Sequence, residues 1–233
     1  MSRGCSERAG CKTQWSNDLD VYDRGVEAVT AFVLAGGKSR RMGEDKAFLR
    51  LGDRTLLAHA LGLAKGAASK VWIVGGAEKF AAFGQVIEDL YPERGPLGGI
   101  HAALTRTVTE LNLMMAVDLP FVQPNFLNYL LARARETEAL VVVPHGDGGL
   151  QPLCAVYRRS FAEVAERSLR AGKNRIDRLF AEVQTRMIDQ QELKRSGFSE
   201  EMFQNLNTPD DWQEARRRTA DLGPRISAAG AEV

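Results

Sequence analysis

The segment Leu34–Lys46, LAGGKSRRMGEDK, could bind phosphate groups. It follows an apolar run that is typical of a strand, and its two neighbouring glycines permit a close turn. Its two acids, Glu44 and Asp45, are outnumbered by four cations: Lys38, Arg40, Arg41 and Lys46. Backbone N–H groups beside such cations suit an anion with several phosphates. The sequence therefore predicts a polyphosphate site in this loop.

Two common phosphate motifs do not explain this loop. The letters GKS look like the end of a Walker loop, but the position that needs its first glycine holds Phe32. The dinucleotide motif G-x-G-x-x-G also fails, because Gly36, Gly37 and Gly43 are spaced by one and six residues. A phosphate-binding loop of neither kind is therefore expected.

Asp118 is a candidate metal ligand. It follows the apolar run LMMAV, and the next two residues, Leu-Pro, turn the chain away from the predicted strand. A carboxylate at a strand end can bind Mg²⁺, which prefers one or two carboxylates together with phosphate oxygens. A role as the N-cap of the following helix is the alternative, and this residue taken alone does not decide between them.

The segment Glu93–Ile100, ERGPLGGI, places three glycines around a proline at the predicted start of a helix. Glycine lets a flat ring lie against the backbone, whose N–H and C=O groups can then contact the edge of the ring. A tight turn is the alternative, but it needs only one or two glycines. We therefore predict that this segment contacts a ligand.

The remaining candidate site residues are a lysine, two arginines and the histidines. Lys46 precedes an apolar stretch, so its stem can pack while its ammonium points back toward the loop. Arg40 and Arg41 are adjacent, so one of them is expected to face solvent. The three histidines have no serine or cysteine nucleophile at a recognisable spacing, which argues against a catalytic triad.

Composition is that of a soluble globular protein with one α/β domain. The chain has 233 residues, of which 44% are hydrophobic and 26% charged. A net charge of +1 gives no general attraction to nucleic acid or membrane. Three cysteines at unrelated spacings argue against a disulfide framework. With no signal-peptide core and no apolar run near the roughly 20 residues of a membrane span, a cytoplasmic location is expected.

Apolar runs alternate with amphipathic segments after Val29, which predicts βαβ units and a mainly parallel sheet. The predicted strands are Thr30–Leu34, Lys70–Val74, Gln85–Glu88, Asn112–Val117, Leu140–Pro144, Pro152–Tyr157 and Thr185–Ile188. The predicted helices are Thr55–Lys65, Pro124–Glu136, Ser160–Ala171, Arg175–Ala181 and one that begins at Pro209. For the strand at 152–157, antiparallel pairing is an option. We expect a single domain over residues 28–218, flanked by disordered segments at 1–27 and 219–233.

Ligands of an open parallel sheet collect at the carboxyl ends of its strands. Four segments are predicted to lie at that edge. They are the glycine-rich loop, Ile87–Asp89, Val117–Pro120 and Asn205–Thr208. The four segments therefore share the edge at which a ligand is expected.

Four motifs in this order, LAGGKSRRMGEDK, IEDLYPERGPLGGI, AVDLPF and NLNTPDDW, resemble the nucleotidyltransferase superfamily. Within it they resemble the molybdenum cofactor guanylyltransferases of the MobA family, over residues 29–215. The first motif also fits sugar-phosphate, isoprenoid-pathway and cytidylyl enzymes, whereas GPLGGI and the late NLNTPDD narrow the choice. The resemblance implies a three-layer α/β/α Rossmann-like sandwich with a mainly parallel sheet, as in nucleotide-diphospho-sugar transferases.

The resemblance implies transfer of GMP from GTP to the terminal phosphate of molybdenum-molybdopterin, with Mg²⁺ as cofactor and pyrophosphate as a product. GTP, molybdenum-molybdopterin, and the molybdenum-insertion and molybdoenzyme-maturation proteins are the implied partners. Such transfer needs no protein nucleophile, because the pterin phosphate itself attacks the α-phosphorus in line. The alternatives are a cytidylyltransferase that uses CTP and molybdopterin, a sugar-phosphate nucleotidyltransferase, and a non-catalytic nucleotide-binding protein on the same fold.

The resemblance also implies roles for individual residues. The implied GTP contacts are Leu34, Ala35, Gly36, Gly37, Lys46, Asp89, Gly98 and Asp118. The implied catalytic residues are Lys46, Asp118 and Arg41, with Asp118 also the Mg²⁺ ligand, and Asn205 and Asn207 would lie on the molybdopterin side. The alternatives for the two asparagines are that they complete the metal shell or that they are turn and cap residues before Pro209. One position departs from the family: an asparagine that some members have after the second strand is Val74 or Gly75 here, which predicts a backbone contact or none.

Overall fold

The computed structural model describes residues 28–36 and 45–221. The predicted extension 1–27, the loop 37–44 and residues 222–233 of the predicted tail lie outside the described residues. The strands are β1 (Val29–Leu34), β2 (Arg50–Leu51), β3 (Arg54–Thr55), β4 (Lys70–Val74), β5 (Val86–Ile87), β6 (Leu111–Ala116), β7 (Val141–Gly146), β8 (Gly149–Leu150), β9 (Cys154–Arg158) and β10 (Thr185–Ile188). The helices are α1 (Leu56–Ala67), α2 (Ala77–Phe80), α3 (Pro96–Arg106), α4 (Pro124–Arg135), α5 (Phe161–Arg170), α6 (Ile176–Leu179), α7 (Gln190–Arg195) and α8 (Pro209–Asp221).

The central sheet has the strand order β10-β7-β9-β6-β1-β4-β5. Along this order β9 runs antiparallel to β6 and β7, and the other pairings are parallel. The short β8 pairs antiparallel with β7, and β2 and β3 form a separate hairpin. The predicted mainly parallel sheet is confirmed, and β9 is the antiparallel strand that the sequence left open.

Helices cover both faces of this sheet. Along β1, Val29, Ala31 and Val33 pack in one buried cluster with α1 and α4, whereas Phe32 and Leu34 pack in another with α3 and α5. Alternate residues of a strand point to opposite faces, so both faces of β1 are apolar and its sequence reads as a continuous run. The predicted three-layer α/β/α sandwich is confirmed.

The longest elements match their predicted positions, and so does the short strand Thr185–Ile188, but the short helices differ. The helix predicted over Arg175–Ala181 is a single turn, Ile176–Leu179. The segment after β10, for which no helix was predicted, contains α7 and a short 3₁₀ helix, Glu200–Phe203. Elements of one or two turns are too short to show a helical period. The last helix continues past residue 218, where the domain was expected to end. Across the described ranges, we find no helix with the length and apolar character that a membrane crossing requires.

A buried amide fixes the start of β6. The side chain of Asn112 is fully buried, and its Nδ2 donates to the carbonyl oxygens of Thr109, Glu110 and Tyr157 at 3.0 to 3.4 Å. Satisfying a buried amide in this way avoids the cost of an unpaired polar group. The strand that delivers Asp118 to the carboxyl edge is therefore anchored at its opposite end.

Candidate active site

The chain that leaves β1 is bonded to both neighbouring strands. Ala35 N and Gly36 N both donate to Val74 O at 3.0 Å, and Leu34 O accepts from Val117 N at 3.1 Å. Leu34–Gly36 therefore lie at the carboxyl edge of the sheet, where ligands are expected. The N–H groups of Ala35 and Gly36 and the carbonyl of Leu34 are therefore already bonded within the protein.

Lys46, Asp118 and Asn207 meet at this edge. Lys46 Nζ donates to Asp118 Oδ2 at 3.3 Å and to Asn207 Oδ1 at 2.7 Å, across 72 and 161 residues of sequence. The side chains of Lys46 and Asp118 are 18% and 20% exposed, so a ligand can reach them. The N-cap of α4 is Gln123, so Asp118 does not cap the helix that follows it. Three predicted site residues from distant segments are thus in direct contact.

Lys46 begins a 3₁₀ helix, Lys46–Phe48, that Asp45 caps. Asp45 Oδ1 accepts from Ala47 N at 3.1 Å, and Ala47 is fully buried, which anchors the helix. Asp45 Oδ2 lies 3.2 Å from Lys79 Nζ, which belongs to α2. A further lysine therefore pairs with the residue that precedes Lys46. Sequence reasoning missed Lys79, because the single turn that carries it has no motif of its own.

The start of α8 positions Asn207. Asp211 Oδ2 accepts from Asn207 N at 2.9 Å and from Thr208 N at 2.8 Å, and Thr208 Oγ1 accepts from Asp211 N at 3.1 Å. These backbone hydrogen bonds lower the pKa of Asp211. Thr208 and Asp211 therefore take the capping role, and the Asn207 side chain is left to contact Lys46. The spacing T-x-x-D is a capping-box signal that could have indicated this from the sequence.

Asp89 and Gly98 are in contact at the start of α3. A Cβ on Gly98 would lie 2.5 Å from Asp89 Oδ2 and 2.7 Å from Asp89 Oδ1, so the carboxylate rests where only glycine leaves room. Asp89 Oδ1 also accepts from Tyr91 N at 2.8 Å, and burial raises the pKa of Asp89. The N-cap residue Gly95 has φ +67°, a conformation that favours glycine. The structure thus joins two residues that were predicted to contact GTP.

The missing asparagine after β4 has a packing reason. A Cβ on Gly75 would lie 2.7 Å from the ring of Phe80, which is almost fully buried and stacks on Phe48 with ring centroids 5.7 Å apart. An asparagine at this position would require that ring to move. Gly75 N donates to Ile87 O at 3.0 Å, so this backbone N–H is used in the pairing of β4 with β5.

The remaining predicted site residues belong to the glycine-rich loop and to the segment before α8. Gly37, Arg40 and Arg41 lie outside the described residues. Asn205 does not share the position of Asn207 but lines a cleft of about 1130 Å³ beside β7, α7 and the 3₁₀ helix Glu200–Phe203. Leu119, which follows Asp118, lines the same cleft. Sequence reasoning missed this cleft, because most of its wall comes from the segment after β10.

Comparison with known proteins agrees with this geometry. Residues 31–188 match the family model of the MobA-like NTP transferase domain. The chain is 36% identical over 189 residues to a probable molybdenum cofactor guanylyltransferase of Pelotomaculum thermopropionicum, covering 80% of this chain and 91% of that protein. A probable molybdenum cofactor guanylyltransferase of Carboxydothermus hydrogenoformans is 31% identical, with 81% and 95% covered.

A solved structure supports the same assignment. The molybdopterin-guanine dinucleotide biosynthesis protein A of Archaeoglobus fulgidus superposes with a TM-score of 0.73 at 28% identity, and the match covers 82% of this chain and 99% of that one. The sequence match extends over more than half of the chain, and the relatives are matched over nearly their whole length. The chain therefore belongs to the MobA-like NTP transferase family.

Proposed function

We propose that this chain transfers GMP from GTP to the terminal phosphate of molybdenum-molybdopterin, forming the molybdopterin guanine dinucleotide cofactor and pyrophosphate. Family membership supports nucleotidyl transfer, and the names of the relatives support the guanylyl group and the molybdenum cofactor as acceptor. The observation that carries the proposal is the contact of Lys46 with Asp118 and Asn207. A cation, a carboxylate and an amide at the carboxyl edge of the sheet suit the binding of a metal-bound triphosphate.

Asp118 fits a Mg²⁺ ion. One carboxylate together with phosphate oxygens and waters is an ordinary ligand set for this ion. Among residues 28–36 and 45–221 there is no group of three or more His, Cys, Asp or Glu side chains that could hold a metal. We propose that phosphate oxygens of GTP and waters supply further ligands. When bound, the ion would offset negative charge on the phosphate oxygens.

Lys46 is proposed to contact the triphosphate. Its ammonium has three N–H donors, and phosphate oxygens are acceptors of the same kind as Asp118 and Asn207. Asn207 Oδ1 accepts from the same ammonium as Asp118 and so helps to orient it. Lys79, which pairs with Asp45, and Arg41 are proposed as further cations that together would stabilise the charge that passes to pyrophosphate.

These residues align the reactants and do not attack them. An oxygen of the acceptor phosphate forms the new bond to the α-phosphorus, and the bond from that phosphorus to the bridging oxygen of pyrophosphate breaks. Two anions must approach each other for this step, so holding them in line and screening their charge is the main task of the protein. No side chain is required as a nucleophile.

Asp89 and Gly98 are proposed to contact the guanine or the ribose. The edge of guanine presents two adjacent N–H donors, and an ionised carboxylate can accept both. A ribose hydroxyl would donate to the same carboxylate. The bare backbone at Gly98 keeps this carboxylate against the start of α3.

A thermal-shift panel of GTP, CTP, UTP and ATP, each with Mg²⁺, tests the base. We expect the largest increase in unfolding temperature with GTP, because at equal concentration a ligand that binds only the folded state stabilises it more when its Kd is lower. Stronger stabilisation by CTP or UTP would favour a cytidylyltransferase or a sugar-phosphate nucleotidyltransferase and contradict the proposal.

Pyrophosphate release tests the reaction itself. We expect release from GTP only when molybdopterin is supplied. GTP binding without any release would indicate a non-catalytic nucleotide-binding protein. We also propose that the reaction takes place in the cytoplasm and that molybdenum-insertion and molybdoenzyme-maturation proteins deliver the substrate and accept the product.

A further inference from the structure

Three groups converge on Gly146 at the floor of the cleft beside β7. A Cβ on Gly146 would lie 3.7 Å from Glu200 Oε2, 3.7 Å from Gln151 Nε2 and 3.1 Å from the ring of Phe203. We call Gly146, Gln151, Glu200 and Phe203 the Gly146 recess. Gly146 ends β7, so the recess lies at the same edge of the sheet as Asp118.

Amide groups hold the polar side of the recess in place. Gln190 Nε2 donates to Glu200 Oε2 at 3.3 Å and to Asp147 Oδ1 at 2.9 Å, and Gln151 Nε2 donates to Gly149 O at 3.1 Å. The recess thus presents a carboxylate acceptor beside amide donors, above the buried ring of Phe203.

We propose that the Gly146 recess binds the 2-amino-4-oxo edge of the pterin ring of the acceptor, an inference that rests on the function proposed above. This edge has two adjacent donors, N3–H and the 2-amino group, next to the acceptor O4. Glu200 accepts from the two donors, and the Gln151 amide, which uses one of its two N–H groups for Gly149 O, donates to O4. The Phe203 ring closes the floor with an apolar surface that suits a flat heterocycle.

Charge distinguishes the two ends of the cleft. Asp147 and Glu200 lie together at the recess, so a phosphate there would be repelled. The cleft extends to Leu119, the neighbour of Asp118, which lies 3.3 Å from the Lys46 ammonium. An acceptor with its neutral ring in the recess therefore has its anionic phosphate directed toward the cation and the proposed metal site.

The test is Glu200→Gln, which keeps the size of the side chain and removes the charge. We expect the KM for molybdopterin to rise about tenfold or more, because a charge-assisted pair of hydrogen bonds becomes a neutral one with a mismatched donor. The kcat and the Kd for GTP stay within about twofold. Glu214→Gln is the matched control: it makes the same charge change on α8, on a carboxylate that lies 2.8 Å from Arg217 and does not line the cleft, and we expect the wild-type KM.

A pair of competing probes tests the hydrogen-bond pattern. Pterin and lumazine differ at position 2, where an amino donor is replaced by a carbonyl acceptor. We expect pterin to inhibit the wild type at a concentration about tenfold lower than lumazine does, and Glu200→Gln to lose this preference. Equal inhibition of the wild type by the two probes would overturn the assignment, and so would a lack of inhibition by either probe.

The outcomes separate this inference from the proposed function. If the wild type transfers GMP to molybdopterin but Glu200→Gln keeps the wild-type KM, the inference is wrong and the function stands. Guanine has the same pattern of two donors beside a carbonyl, so weaker GTP binding by Glu200→Gln would assign the recess to the base of GTP instead. If the wild type does not transfer GMP to molybdopterin at all, the proposed function itself fails.

Discussion

Replacing Gly98 with alanine should separate nucleotide binding from folding. The new Cβ would lie 2.5 Å from Asp89 Oδ2, whereas real Cβ contacts below 3.0 Å essentially do not occur. The carboxylate must therefore retreat by at least about 0.5 Å, since 3.0 Å is the nearest tolerable approach. That movement strains the hydrogen bond from Tyr91 N, which holds the carboxylate at 2.8 Å.

Two opposing effects determine the change in stability of Gly98→Ala, and a third effect determines the change in GTP affinity. Overpacking costs about 1 to 3 kcal/mol, and alanine in place of glycine in a helix returns up to about 1 kcal/mol. We expect a net loss of about 0 to 2 kcal/mol in the free energy of unfolding of Gly98→Ala. A displaced charged hydrogen-bond acceptor costs about 1.5 to 3 kcal/mol of binding, so the Kd for GTP should rise at least about tenfold.

Gly99→Ala is the matched control for this experiment. It makes the same change in the same helix, but its Cβ would lie 3.2 Å from Val74 Cγ1 and 3.5 Å from Leu34 Cδ2, which are apolar side-chain atoms. Calorimetric titration with GTP and Mg²⁺, together with thermal unfolding, measures both quantities for both variants. An unchanged Kd in Gly98→Ala, or an equal loss of affinity in Gly99→Ala, would refute the placement of Asp89 at the nucleotide.

Three further predictions follow from the same geometry. Asp118→Asn should lower Mg²⁺-dependent pyrophosphate release by about 100-fold or more while thermal unfolding shows an intact fold, and near-normal turnover would contradict its metal role. Asn207→Ala removes the 2.7 Å partner of Lys46, so we expect kcat to fall about tenfold with less than about 1.5 kcal/mol of lost stability, and unaltered kcat would exclude a positioning role. Burial lowers the pKa of His59 and of His101 from the ordinary value of 6.5, so the unfolded chain binds more protons than the folded one as the pH falls below 6.5. Stability should decrease in that range, and His101→Phe should reduce this decrease in unfolding temperature between pH 7.5 and 5.5; an identical pH dependence in the variant would argue against it.

Strands of the central sheet could be predicted because they contain runs of apolar residues. The strand predicted at Lys70–Val74 is confirmed to the residue, and the one predicted at Thr30–Leu34 begins one residue earlier, at Val29. β1 is buried on both faces, and a continuous apolar run of this kind can be recognised locally, whereas β4 begins at the exposed Lys70 and becomes buried only at Ile73. The reversed direction of β9 could not be read in this way, because pairing direction depends on neighbours that are distant in the sequence.

The sequence predicted individual residues of the site but not which of them are in contact. Asp118 and Lys46 were selected from residue type, position and family resemblance, and the structure places them 3.3 Å apart. Asn205 and Asn207 were treated as one pair, yet one lines the cleft and the other contacts Lys46. The two side chains lie in different parts of the site. The residue between them, Leu206, donates its backbone N–H to the carbonyl of Asp118.

The sequence by itself determined the family, the class of fold and the residue types that could handle phosphate, because these depend on short motifs and local periodicity. Only the tertiary structure decided which residues touch. The order of the strands places β6 beside β1 and so brings Asp118 to Lys46. Packing against Phe80 decides that Gly75 carries no side chain, and the fold of the segment after β10 brings Glu200 to Gly146. Such contacts join segments tens of residues apart, and their distances are set by the packing of the whole sheet and its helices.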